Sequence, residues 1–199
     1  AANLAGWPEI AKSIKQGQDV YQALKYAPFP VVGAPSGMAL GGGCEVLLHC
    51  DAIQAHIETY IGLVEVGVGL VPAWGGCKEM LLRSIANPSH PKGPMAVAGK
   101  AFETIGKASV ARSAEEARAL LFFRSSDGIT MNRNRLLADA KTLAIELVKN
   151  YQTPARPELH LPGASGSTAM KMAVRDLCKA GLATAHDQVV TSELANVLS

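Results

Sequence analysis

The sequence predicts an α/β fold, with a layer of brief strands and helices followed by a mostly helical region. Three observations carry that prediction. Short apolar runs bounded by Pro and Gly, at 31–34, 51–55 and 59–62, have the length and composition of buried strands. Helical periodicity flanks and separates them, giving the order strand, helix, strand, strand, helix, which suggests an α/β layer of many brief elements. Beyond about residue 110, nearly all of the periodicity is helical.

Taken in order, Trp7, Ile10, Ile14, Tyr21 and Leu24 fall close to a 3.6-residue period, so 7–26 reads as an amphipathic helix ended by Pro28 and Pro30. Residues 31–34 form a short buried strand and 35–37 a turn. Glycines 41–43 lead into a helix over 44–49. Strands follow at 51–55 and 59–62, then a helix at 75–85. The Pro- and Gly-rich stretch 87–99 reads as a surface excursion. Ser113-Ala114-Glu115-Glu116 is a capping-box pattern opening a helix to about residue 121. Leu136, Leu137, Ala140, Leu143, Ala144 and Leu147 mark a helix within 130–150. Residues 151–167 form a linker, and 167–180 and 185–198 are the last helices. The division expected is a core over 1–110 and a helical region over 111–199 that serves as interface or lid.

The chain has 199 residues, 48% of them hydrophobic and 18% charged, enough for one real core. A formal net charge of +2 without a run of three basic residues argues against nucleic acid or an anionic membrane as partner. No apolar run approaches a bilayer span, and the N-terminus lacks the basic and apolar regions of a signal peptide. Absence of an initiator Met suggests a piece of a longer protein. Cys44, Cys50, Cys77 and Cys178 show no C-x-x-C spacing, which favours free thiols in a reducing cytoplasm.

Chemistry concentrates in residues 35–76. Three consecutive glycines, Gly41-Gly42-Gly43, precede Cys44-Glu45, and a second acid, Glu65, precedes Gly69-Leu70-Val71-Pro72-Ala73-Trp74-Gly75-Gly76. At a helix start the first N–H groups lack helical acceptors, and the dipole adds positive potential. Glycine there lets a ligand oxygen reach those donors, the recipe for an oxyanion hole. Two nearby carboxylates split their pKa values and can serve as acid and base. The residues alone leave a structural alternative open, since Gly-rich turns also serve tight packing and a first-turn Glu also answers the dipole. Glu65 lies among Val64, Val66, Val68, Leu70 and Val71, where a charge needs a reason; Glu58, in a more polar stretch, is expected to face solvent. No dinucleotide fingerprint, P-loop, nucleophile elbow or metal-ligand histidine spacing occurs, so no metal is expected.

The run from Pro30 through Gly41-Gly42-Gly43-Cys44-Glu45, followed by Cys50-Asp51, Glu65 and Gly69 to Gly76, resembles the enoyl-CoA hydratase/isomerase (crotonase) superfamily. The resemblance is strongest over 27–83. Phe102-Glu103-Thr104-Ile105, residues 129–133 and His186-Asp187 resemble bacterial fusions of that hydratase with a 3-hydroxyacyl-CoA dehydrogenase. It implies a partial crotonase-type ββα superhelix with a helical C-terminal region, lacking the leading strands. It implies Glu45 and Glu65 as catalytic acids that hold and activate a water, and Gly42 as one oxyanion donor. The second donor would be Ala2, because Ala1-Ala2-Asn3-Leu4 resembles the family's other loop, with Asn3 in place of Asp. Gly41, Pro72 and Gly75 would line the substrate.

The activity so implied is hydration of trans-2-enoyl-CoA to 3-hydroxyacyl-CoA in fatty-acid β-oxidation. An acyl-CoA thioester would be the substrate, with no cofactor and with NAD only for a dehydrogenase part not present. Enoyl-CoA isomerisation on the same scaffold and a catalytically incomplete assembly fragment are the alternatives. The partner expected is a second copy of the chain or the rest of its own parent.

Overall fold

The structure, a computed structural model, describes residues 6–199. Helix α1 (Trp7–Lys25) comes first, then β1 (Val32–Gly33), β2 (Met38–Leu40), α2 (Gly42–Leu48), β3 (Ala52–His56), β4 (Tyr60–Gly62) and a 3-10 turn at Glu65–Val68. The second half comprises α3 (Gly76–Ala86), α4 (Pro94–Gly106), α5 (Ala114–Ala119), β5 (Gly128–Thr130), α6 (Leu136–Val148), α7 (Gly163–Lys179) and α8 (Ala185–Val197). The α/β class expected from the sequence is the one observed, and the C-terminal region is mainly helical.

Among the described residues the named strands pair in parallel, and Ile61 of β4 also bridges Ala111 in the antiparallel sense. β1, β3 and β5 form one sheet, with Val32 opposite Ala52 and Gln54 opposite Gly128. β2 and β4 form the other, with Met38 opposite Tyr60 and Leu40 opposite Gly62. Parallel neighbours need a crossover, and β2 with α2 supplies it between β1 and β3. Leu48, Ile53, Ile61, Leu63, Met80 and Phe122 are fully buried between the strands and the helices that cover them. Each such side chain contributes about 1.5–3 kcal/mol of burial.

Several expectations need correction. The stretch 87–99 is not wholly a surface excursion, because α4 starts at Pro94 and buries Val97, Ala98, Ala101, Thr104 and Ile105. Pro94 lies in the first helical turn, where no N–H is required, so a residue that usually breaks helices here begins one. β2 occupies 38–40, just beyond the expected turn, and β5 precedes α6; both are three residues long and too brief for periodicity to reveal. The linker ends at Pro162, where α7 begins four residues earlier than expected. Finally, α1 is a helix as expected, yet none of its residues is fully buried and Trp7 is 67% exposed.

The tail belongs to the same core. Met170 of α7 and Val190, Leu194 and Leu198 from α8 and its end are buried with Ile105 and Ala101. A capping box fixes the start of α8: Thr184 accepts from the Asp187 N–H, and Asp187 accepts from the Thr184 N–H. Among the described residues, no helix is long and apolar enough to cross a membrane.

Candidate active site

The site grows from the ends of β2 and β4. Gly41 N–H donates to the Gly62 carbonyl at 2.9 Å, closing the strand pair, and the chain then turns sharply into α2. Gly41 adopts φ 55°, ψ −124°, and a Cβ on it would stand 3.4 Å from Glu65 Oε1. That backbone conformation is what requires glycine there. Gly42 is the first residue of α2, so its N–H has no acceptor within the helix and points outward at the positive end of the dipole.

Glu45 lies in that first turn and is 2% exposed. Its Oε1 accepts N–H bonds from Trp74 and Gly76, each at 2.9 Å, and Oε2 accepts none among the described residues. Gly76 is needed for this approach, since a Cβ there would come within 3.0 Å of that oxygen. Burial pushes the Glu45 carboxyl above the usual range, against the opposing pull of the Gly76 and Trp74 N–H groups. Glu65 is half-buried at the start of the 3-10 turn, and its Oε2 is buried with no hydrogen-bond partner among the described residues. Burial pushes its carboxyl up too, and the charge of Glu45 pushes it further. Two carboxyls next to one helix start are thus both biased toward holding protons. Glu58, by contrast, is exposed.

Three aromatic side chains not singled out from the sequence hold this arrangement. The Tyr21 hydroxyl on α1 donates to the Gly42 carbonyl at 3.0 Å and fixes that peptide. Tyr21 meets Trp74 edge-on, with ring centroids 5.5 Å apart. The Trp74 indole fills the space beside Gly17, where a Cβ would collide at 2.3 Å, and beside Gly42. His49, one turn along α2 from Glu45, is buried, and its Nδ1–H donates to the Glu45 carbonyl at 2.7 Å. Its ring also backs Gly75, where φ is +112° and a Cβ would lie 2.8 Å from the imidazole. The sequence signal for these roles was present: Gly17 and Tyr21 share a face of α1, and Trp74 sits inside the second glycine motif.

The structure therefore brings together Gly41, Gly42, Glu45, Glu65 and Gly75 around one helix start. Pro72 is buried just before the turn that holds Glu45. Ala2 lies outside the described residues. A cavity of about 780 Å³ opens beside this turn, bounded by Ile14, Gln18, Tyr26, Trp74, Gly75 and Arg156. The neighbouring thiols are not nucleophiles, because burial raises Cys44 far above its usual value and drives Cys77 up to about 12.

A parallel-strand core with a glycine-capped helix, one buried acid and a second, half-buried one beside it defines a protein of the crotonase fold. Comparisons agree. Residues 7–99 match the family model described as enoyl-CoA hydratase/isomerase, and both acids fall inside that stretch. A protein of Bacillus subtilis named probable 3-hydroxyacyl-CoA dehydrogenase is 38% identical over 192 residues, covering 96% of this chain and 24% of that protein. A Rickettsia felis protein named putative fatty acid oxidation complex trifunctional enzyme is 46% identical over 76 residues, 38% of this chain and 11% of its own. An enoyl-CoA hydratase structure from Polaromonas superposes with a TM-score of 0.59 over 98% of this chain and 64% of that one, at 23% identity. The chain belongs to the enoyl-CoA hydratase/isomerase (crotonase) superfamily. It spans about a quarter of the length of the Bacillus relative.

Proposed function

We propose that Glu45 and Glu65 are the acid/base pair of an enoyl-CoA hydratase acting on trans-2-enoyl-CoA in fatty-acid β-oxidation. The observation that carries this is the contrast between the acids. Glu45 is held by two N–H groups at one oxygen, and Glu65 presents a buried oxygen with no partner among the described residues, beside the Gly42 N–H at the start of α2. In the reaction one carboxylate takes a proton from water as its oxygen bonds to C3, and the other carboxyl delivers a proton to C2. The Gly42 N–H stabilises the charge that builds on the thioester oxygen, a contribution of about 3 kcal/mol for one such donor. Water supplies everything added, so no cofactor is consumed, and NAD would serve only a dehydrogenase part elsewhere in a longer protein.

Gly41, Pro72 and Gly75 shape the wall against which the thioester would lie, and the cavity beside Trp74 offers it room. A superposed hydratase from Thermobifida fusca was solved in complex with CoA, which supports an acyl-CoA ligand for this fold. Four free thiols fit a cytoplasmic setting. A second copy or the remainder of a longer parent is the partner we infer.

One observation favours isomerisation as a second reading: the unpartnered oxygen of Glu65 suffices for a shuttle of one proton between C2 and C4. Glu45→Gln and Glu65→Gln, assayed by loss of the enoyl-thioester absorbance of crotonyl-CoA, separate the two. Each should cut hydration at least about 100-fold. Near-normal hydration by E45Q sinks the hydratase reading. Retained isomerisation of a 3-enoyl-CoA by E45Q, together with its loss in E65Q, would favour the single-acid alternative.

A further inference from the structure

At the end of α2 opposite the glycine run lies another cavity, of about 560 Å³, whose lining includes Lys25, Glu79, Arg83, Arg118, Arg124 and Ser126. Four cations face one carboxylate there. The carboxylates nearby are already taken. Glu79, 1% exposed, binds Lys25 Nζ at 2.5 and 2.7 Å and Lys78 Nζ at 3.0 Å. Asp127 accepts from the Ile53 N–H at 3.0 Å and from the Arg124 N–H at 2.6 Å, and stands 3.9 Å from the guanidinium groups of Arg83 and Arg124.

The guanidinium groups, in contrast, have donors to spare. Arg83 is 5% exposed; one of its nitrogens reaches the Leu48 carbonyl at 3.3 Å, while Nε and Nη1 have no acceptor among the described residues. Arg118 Nε also lacks one, its other nitrogens bonding Glu115 and the Asp127 carbonyl. The Arg124 guanidinium donates to the carbonyls of Cys50 and Asp51, with Asp127 3.9 Å away. A buried charge that is imperfectly paired is costly, so the cavity is short of negative charge. The ionisation of its lining reports the same potential. Burial, then the neighbouring Arg124, lowers Arg83 to about 10, and Lys25 is lowered by burial with Lys78 and Arg124 working against Glu79.

We propose that this cavity binds a phosphate-type oxyanion, gripped by Arg118, Arg124 and the serine hydroxyls at its rim, with Arg83 as the buried countercharge. Guanidinium groups suit such an anion because their planar donors match its oxygens and are weakly hydrated. The site is separate from the Glu45 and Glu65 pair and does not depend on the proposed reaction.

Thermal unfolding of the chain in inorganic phosphate, with sodium chloride at matched ionic strength as reference, tests it. The midpoint should rise by about 3–5 °C at a tenfold excess over Kd and continue to rise with the logarithm of phosphate concentration, and calorimetry should find one saturable site. Arg118→Gln should weaken that Kd at least about tenfold. Ser126→Glu, which tethers a carboxylate at the exposed rim, should raise the midpoint without phosphate and abolish the response. A small phosphate monoester such as glycerol phosphate distinguishes the source: tighter binding than inorganic phosphate means the site reads the phosphate of a larger molecule, and equal binding means it takes the free anion. A response no greater than that to chloride overturns the proposal, as does an unchanged phosphate Kd in both variants. Should Arg118→Gln fail to fold, Ser126→Glu decides alone.

Discussion

Glu65 is stabilised poorly for a carboxylate: one oxygen is buried without a donor among the described residues, and Glu45 adds like charge. Its folded pKa is raised, so its contribution to stability is fully present below the unfolded value and is lost as pH rises through the folded one. Glu65→Gln should therefore gain in unfolding midpoint over the unaltered chain as pH goes from 4 to 7. A gap that stays constant across that range would show that the carboxylate is not strained. Glu79 behaves oppositely. Its pKa is lowered, burial being outweighed by Lys25 and Lys78, so its contribution is present above the unfolded value and lost as pH falls through the folded one. Lys25→Met should cost about 3 kcal/mol near neutrality by chemical denaturation, the low end for a broken buried pair because Lys78 remains, and less in acid. Both acids of the candidate pair stood out in the sequence, because a charge among valines and an acid after three glycines are anomalies. Tyr21 and His49 did not, since a tyrosine and a histidine on helices have many uses and only the fold shows which carbonyl each one meets.

The turn from Pro72 to Gly76 links the elements at the site, because its Trp74 and Gly76 N–H groups hold Glu45 while its Gly75 rests on His49. Gly75→Ala would place a side chain at φ +112° and 2.8 Å from a buried ring. The backbone alone costs about 1–3 kcal/mol. The expected outcome is a lower unfolding midpoint with an altered near-ultraviolet signal from Trp74, whereas an unchanged midpoint would show that the turn is not clamped. At this scale legibility depended on length. Long periodic helices such as α6 and α8 were plain in the sequence. β2 and β5 were not, because three residues carry no period. α4 was hidden by Pro88, Pro91 and Pro94, only the last of which lies in the helix, where it starts the first turn.

Across the molecule, one apolar core joins the strand region to the C-terminal helices. Leu194 and Leu198 are fully buried, and α7 and α8 cover α4, whose Ala98, Ala101 and Ile105 are shielded as a result. Removing residues 163–199 would expose that surface. The shortened chain should lose cooperative unfolding and aggregate on size-exclusion chromatography. If it stays monomeric with an unchanged midpoint, the tail is an appendage rather than part of the core.

The sequence by itself determined the α/β class, most of the helices and the two acids beside a glycine-led helix, because periodicity, glycine runs and misplaced charges are local signals. Tertiary structure alone decided which N–H groups hold Glu45, which oxygen of Glu65 goes unpaired, and how four cations from α1, α3, α5 and the segment before β5 come to surround one cavity. Those outcomes depend on burial and on contacts between residues up to a hundred positions apart, which no local pattern encodes.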